Sequence, residues 1–267
     1  RTNYLGEGLR KKRFEPALTK DPNCPLLYFM RAKAELGELE YEDALTDLRK
    51  CLQLNQGDQT VAGITLLYMA DAQLACSESS KAVDSSTRAI EIFEKQFRKA
   101  NWLPFCLQEA PNSVRRRGYE LRAIGYSALQ RYDEAIKDMQ HIIDEHPKAR
   151  LLERMAEMCN RAGRYQLALQ YCSKAEESNP SLQIQKMKAY VGLQDHRRAI
   201  AELNGLLRYS PGDEMFLAER GSEYFKIGQY QQAVSDLSVV IASKETTDSS
   251  LCLKIRAQAY RKLGQDK

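Results

Sequence analysis

One short pattern returns six times along this chain, and nothing else in it restricts the fold as much. The stretch YDEAI at Tyr132 lines up with YEDAL at Tyr41, YQLAL at Tyr165, HRRAI at His196 and YQQAV at Tyr230, and SSKAV adds a sixth copy. Alanine always stands fourth: Ala44, Ala82, Ala135, Ala168, Ala199 and Ala233, at steps of 38, 53, 33, 31 and 34 residues. Around the central copy, Leu121, Ile124, Ala128 and Leu129 and then Ala135, Ile136, Met139, Ile142 and Ile143 fall at helical spacing, which predicts two short helices with one apolar stripe each. Two such helices cannot bury both stripes on each other alone. Each unit therefore needs a neighbouring copy to cover it.

The register extends beyond the alanines. Tyr119, Arg122, Ala123, Tyr126, Ala135, Met139 and Pro147 occupy offsets that Leu152, Met155, Ala156, Cys159, Ala168, Cys172 and Pro180 repeat, as do Leu217, Arg220, Gly221, Tyr224, Ala233 and Leu237. Small residues suit the place where two helix backbones cross, larger apolar ones fill the space beside the crossing, and proline ends the second helix. From about residue 24 to its end the chain resembles the tetratricopeptide-repeat family, which places Trp, Leu, Gly, Tyr, Ala, Phe and Pro at these offsets. The resemblance implies an all-α fold, a right-handed superhelical solenoid of stacked antiparallel helix pairs. On this register residues 1–23 form a degenerate or incomplete repeat, 24–93 repeats one and two, 94–115 an insertion, 116–245 repeats three to six, and 246–267 the first helix of a truncated further repeat, all in one solenoid domain.

Two places depart from the register. Phe14 resembles the aromatic that opens a second helix, yet Pro22 follows only eight residues later, so either this unit is natively short or residues are missing near 14–17. The step of 53 exceeds the period by 19, which places an insertion between Phe93 and Val114. It contains NWLPFCLQEAPN with the only tryptophan, Trp102, and Phe105 nearby. This apolar knot either folds back onto repeats two and three or offers an accessory contact to a partner.

Composition narrows the function. With 40 basic and 36 acidic residues the net charge is only +4, which does not call for nucleic acid. No run of 18 apolar residues exists, so no membrane span is predicted, and no apolar signal sequence precedes the first repeat. The basic run Arg10 to Arg13 reads as a solvated helix end rather than a targeting signal. Seven cysteines without a CxxC spacing favour a reducing compartment, the cytoplasm or the nucleus. Cys51, Cys159 and Cys172 stand at packing positions and read as core filler. There is no GxSxG, HExxH, P-loop or GxGxxG, and His141, His146 and His196 lack partners at metal-ligand spacing. No catalytic residue, cofactor or metal site is expected.

Members of the family bind peptide segments or helices of other proteins on the face lined by the first helix of each repeat, and the resemblance implies the same here. The candidate lining is Phe29 and Lys33 in repeat one, Leu67 and Asp71 in two, and Arg117, Glu120 and Ile124 in three. Repeat four offers Arg150, Glu153, Arg154, Glu157 and Arg161; repeats five and six offer Ile184, Lys188 and Phe225. Arg115 to Arg117 and the pair Arg150 and Arg154 are expected near one rim, which suits an acidic partner. One subclass clamps the terminal carboxylates of heat-shock chaperones with Lys and Asn from two repeats and Lys and Arg from a third. Arg150 and Arg154 match the third-repeat pair, but Leu67, Asp71 and Leu121 stand at the earlier positions, so no complete clamp is expected. The reading is an interaction scaffold. A co-chaperone-like adaptor for client proteins is one alternative, and a helical-repeat RNA-binding module is another. The latter would need basic residues on every first helix, where Glu153 and Glu157 accompany Arg150 and Arg161.

Overall fold

The computed structural model describes residues 13–97, 111–145, 148–175, 179–243 and 250–264. Trp102 and Phe105 lie outside them. Among the described residues the chain is all-α, with fourteen helices: a short α1 (Glu15–Lys20), then α2 (Pro25–Gly37), α3 (Tyr41–Leu54), α4 (Gln59–Ala75), α5 (Ser79–Phe97), α6 (Pro111–Ala128) and α7 (Tyr132–Glu145). They continue with α8 (Ala149–Arg161), α9 (Tyr165–Lys174), α10 (Pro180–Gly192), α11 (His196–Tyr209), α12 (Glu214–Lys226), α13 (Tyr230–Ala242) and α14 (Ser250–Lys262). The chain divides into two compact units, residues 1–146 and 147–267.

Within each unit consecutive helices pack in antiparallel pairs, and first helices also touch, α2 on α4 and α4 on α6 in one unit, α8 on α10 and α12 on α14 in the other. The six register alanines are fully buried, as are Ala32, Ala70, Ala123 and Ala156 opposite them on the first helices. In pair six the small residue is Gly221, where a Cβ would stand 2.8 Å from Leu237 Cγ. Such crossings leave no room for a larger side chain. Phe29, Leu48, Ile64, Leu67, Phe93 and Val114 build the core of the first unit, while Met187, Leu203, Leu206, Phe216, Leu217 and Val240 build one in the second. Cys51, Cys159 and Cys172 are buried free thiols, as their packing positions imply.

The turn inside each pair is one left-handed residue, Leu39, Ser77, Gln130, Gly163, Gln194 or Gly228, with φ between 59° and 79°, and Gly264 after α14 has φ 68°. The next amide then bonds back to the fifth carbonyl before it, as from Glu40 to Glu35 at 2.9 Å and Arg131 to Tyr126 at 2.8 Å, which closes the helix end. Asp58, Asn179, Asp195 and Asp213 cap the following helices by accepting from backbone amides two or three residues on.

Three pairs share a fork that ties first helix to second. Arg31 donates Nε and Nη2 to Asp47, Arg122 does the same to Asp138, and Arg220 to Asp236, at 2.5–2.8 Å. Each aspartate follows its register alanine by three residues, and each arginine precedes the small residue of the crossing by one. The bidentate geometry fixes the angle of the pair as well as holding it together. Desolvation is the largest single influence on Arg122 and works against its charge, but the bond to Asp138 together with the attraction of Asp138, Tyr126 and Tyr119 outweighs it and the pKa is raised.

Candidate functional site

In the first unit the first helices α2, α4 and α6 bring one aromatic ring and three charges together. Tyr68 on α4 meets Phe29 on α2 edge to face, 5.2 Å between centroids. Lys33 Nζ lies 5.8 Å from the Tyr68 centroid and Arg117 Cζ of α6 lies 4.6 Å from it. Arg117 Nη2 also donates to Asp71 Oδ2 at 2.8 Å. Burial disfavours the Arg117 charge, yet Asp71 and then Tyr68 outweigh this and raise its pKa. Tyr68 is thus a buried plate whose neighbours Lys33 and Asp71 are exposed, with Arg117 half-buried between them.

This geometry refines the candidate lining. Phe29 and Leu67 are buried in the core, so they carry the face from beneath and present no side chain to a ligand. The physical reason is the direct contact of α2 with α4 and of α4 with α6, which closes over both residues. Glu120 and Ile124 are half-buried on α6. Tyr68 was missed by the sequence reading. Its signal was available, because Ile64, Tyr68 and Asp71 sit at i, i+4 and i+7 on one helix face.

In the second unit α8 carries Arg150 and Arg161 exposed and Glu153, Arg154 and Glu157 half-buried. Arg161 bonds Glu157 at 2.8 Å, one turn away. Neighbouring first helices are joined where Asn160 Nδ2 donates to the Gln185 carbonyl at 2.9 Å and to its Oε1 at 3.1 Å. Lys188 is exposed, Ile184 packs on the core, and Phe225 stacks against Tyr230 at 5.5 Å. The arginines expected to gather on one rim fall in different units. Arg115 and Arg117 pair within the first unit, with Glu145 and Asp71.

Two of the three histidines have a side-chain neighbour among the described residues. His196 Nδ1 lies 2.6 Å from Oε2 of Glu223, a buried carboxylate that also accepts from Lys226 at 2.5 Å. His141 packs against Tyr119 at 4.5 Å, and His146 lies outside the described residues. Glu35, Glu40 and Asp43 bring carboxylate oxygens within 4.8 Å of one another at the α2–α3 turn, with only Glu35 buried. No helix among the described residues is long and apolar enough to cross a membrane.

Helix pairs with small residues at the crossings, a left-handed turn inside each pair and a charged face on the first helices define an all-α repeat protein. Residues 121–182 match the family model described as tetratricopeptide repeat. Among solved structures, a tetratricopeptide repeat protein from Parabacteroides merdae ATCC 43184 is 16% identical, with 90% of this chain and 87% of that one covered at a TM-score of 0.67. The C-terminal part of a repeat protein from Cytophaga hutchinsonii is 13% identical, with 94% of each chain covered and a TM-score of 0.67. A chain of the anaphase-promoting-complex hetero-tetramer Cut9–Hcn1 is 15% identical; 96% of this chain covers 47% of that one at a TM-score of 0.53. At these identities the likeness is one of fold. No curated protein sequence matches the chain. Residues 121–182 are thus similar to the tetratricopeptide repeat, and the helix pairs have the fold of the solved repeat structures.

Proposed function

We propose that this chain is a non-enzymatic interaction scaffold that binds a peptide segment or helix of a partner protein on its first-helix faces, in the cytoplasm or the nucleus. The observation that carries the reading is the Tyr68 cluster. A buried aromatic ring with Lys33 and Arg117 both within cation–π distance, and Asp71 bonded to Arg117, offers an ordered set of charges at low entropic cost. Asp71 with its arginine favours a partner segment of alternating sign at this place over a bare carboxylate. The arginines of α8 favour an acidic stretch. Buried Leu67 and Leu121 offer no donor to a terminal carboxylate, which argues against a chaperone-tail clamp.

The test is affinity capture with the whole chain, wild type against Lys33→Glu combined with Asp71→Lys, read by quantitative mass spectrometry. Proteins lost with the double variant, at unchanged helicity, are the partners of this face. If none is lost, the first-unit face is not the binding site. A salt-sensitive mobility shift with mixed RNA would favour the RNA-binding reading instead.

A further inference from the structure

Neighbouring first helices meet through fixed positions, counted from the residue at the crossing. Phe29 and Lys33, three before and one after it in α2, reach Tyr68, two before it in α4. Asp71, one after it in α4, bonds Arg117, six before it in α6. In pair five Met187 holds the crossing position, 12 residues before Ala199 as Ala32 is before Ala44. Asn160, four after the crossing in α8, accordingly bonds Gln185, two before it in α10.

Between α10 and α12 the same positions hold Ile184, Lys188 and Val191 on one wall and Met215 and Glu219 on the other. Here the helices do not meet. First helices pack directly in α2 on α4, α4 on α6, α8 on α10 and α12 on α14, but among the described residues α10 and α12 do not approach in this way. Second helix α11 packs on both and closes the cleft from behind. Each wall has a packed first helix on its other side, so the opening belongs to the interior of the unit. Met215 is 59% exposed, and Ile184 and Val191 are only partly covered where they rest on the core. Lys188 and Glu219 are exposed, and among the described residues no ion pair joins them.

We propose that the α10–α12 cleft takes an amphipathic helix of a partner protein, with apolar residues down its centre, carboxylates along one edge and cations along the other. The charges of the walls set this pattern. No Asp or Glu occurs along α10, where Lys188 is exposed, while the cations of α12, Arg220 and Lys226, already face Asp236 and Glu223 and leave Glu219 as its open charge. The walls are helices whose main-chain groups are bonded internally, so an extended segment between them would bring N–H and C=O groups that find no partners, whereas a helix satisfies its own. Ile184 to Val191 spans about 10 Å, two turns, which suits apolar anchors at i, i+3 and i+7 of the incoming helix. The inference rests on the scaffold reading and adds a place in the second unit and the charge pattern of the partner.

The probe is a helix-stapled synthetic peptide of about three turns, leucines on one face, glutamate along one edge and lysine along the other; stapling is needed because so short a helix is marginal in water. Titrated against the whole chain, it should bind and slow hydrogen exchange in α10 and α12. Met215→Glu should weaken binding about tenfold, and Lys188→Glu or Glu219→Lys about threefold each, with helicity and thermal unfolding unchanged because all three positions are exposed. A peptide with lysine on both edges should bind the Lys188→Glu chain better than the wild type, and one with glutamate on both edges should prefer Glu219→Lys. Lys33→Glu combined with Asp71→Lys should leave all of this unchanged, so failure at this cleft and failure of the Tyr68 face are read separately. Absence of binding, binding indifferent to Met215→Glu or to the edge charges, or equal binding of an unstapled, proline-broken peptide overturns the proposal. Peptide-free protection of α10 and α12 that grows with protein concentration overturns it in favour of a second copy. If Met215→Glu quickens their exchange without peptide at every concentration, the cleft is filled by the chain itself and the proposal falls.

Discussion

A half-buried ion fork is stable only while both halves are present. Asp138 is nearly buried and accepts two bonds from Arg122, so Asp138→Ala leaves a guanidinium without its counter-charge. Solvent reaching Arg122 softens the loss, and about 2–3 kcal/mol is expected in denaturant unfolding. Arg122→Leu combined with Asp138→Leu should cost less than the single change. The buried thiols give a second residue-scale expectation. Burial pushes Cys159 up to about 12 and Cys172 up to about 11, from an ordinary value of 9.0. Between pH 9 and 11–12 the unfolded chain therefore releases protons that the folded chain keeps, so stability is fully present below pH 9 and falls as pH rises through that window. Thermal melts from pH 8 to 11 should show the fall, and Cys159→Ala should reduce its slope. The cysteine positions were legible in the sequence because they share the apolar register. The forks were not, although both halves stand in the sequence 16 residues apart, because a charged residue beside a packing position reads as a solvated one.

Helix pairs are set by their crossings and their turns. Ala135 is fully buried where α7 crosses α6, so Ala135→Leu should overpack and cost about 1–3 kcal/mol in thermal unfolding. Repeats couple to their neighbours, and hydrogen exchange should quicken in α6 and α7 while α10 to α13 in the other unit keep their protection. The turns carry a smaller strain. Gln194 holds φ 59°, a conformation that costs an L residue about 1–2 kcal/mol, part of which glycine returns as unfolded-chain entropy. Gln194→Gly should therefore raise stability by about 0.5–1 kcal/mol, measured by the denaturant midpoint at unchanged slope. Gly163, Gly228 and Gly264 announce this turn in the sequence. Leu39, Ser77, Gln130 and Gln194 do not, because there the packed pair imposes the backbone and propensity yields. CSESS at Cys76 has no glycine and makes the same turn through Ser77.

At the scale of the molecule the repeat period made the all-α stack legible, since only neighbouring copies can bury the stripes. The candidate face was legible in outline. Its ordered part was not, because Tyr68 gains meaning only when α2 and α6 bring Lys33 and Arg117 to its ring. The division at residue 146 left no mark in the periodicity, and the two basic clusters belong to different units. Each cluster must then be weighed within its own unit. In the first, Arg115 and Arg117 already have carboxylates, so an acidic partner would have to displace Glu145 and Asp71. In the second, Arg150 and Arg154 lie four residues apart on one helix face beside Glu153 and Glu157, and Glu157 is engaged by Arg161. Arg150 and Arg154 are engaged too, so an acidic segment meeting α8 has to compete with interactions already made there. Exposed pairs contribute only about 0–1 kcal/mol each, so attachment there is salt-sensitive and needs apolar contacts besides. Arg150→Glu combined with Arg154→Glu should weaken capture of an acidic partner several-fold, more at low salt than at high, with helicity preserved. Unchanged capture would move the docking site to Lys33, Asp71 and Arg117, or to the segment around Trp102.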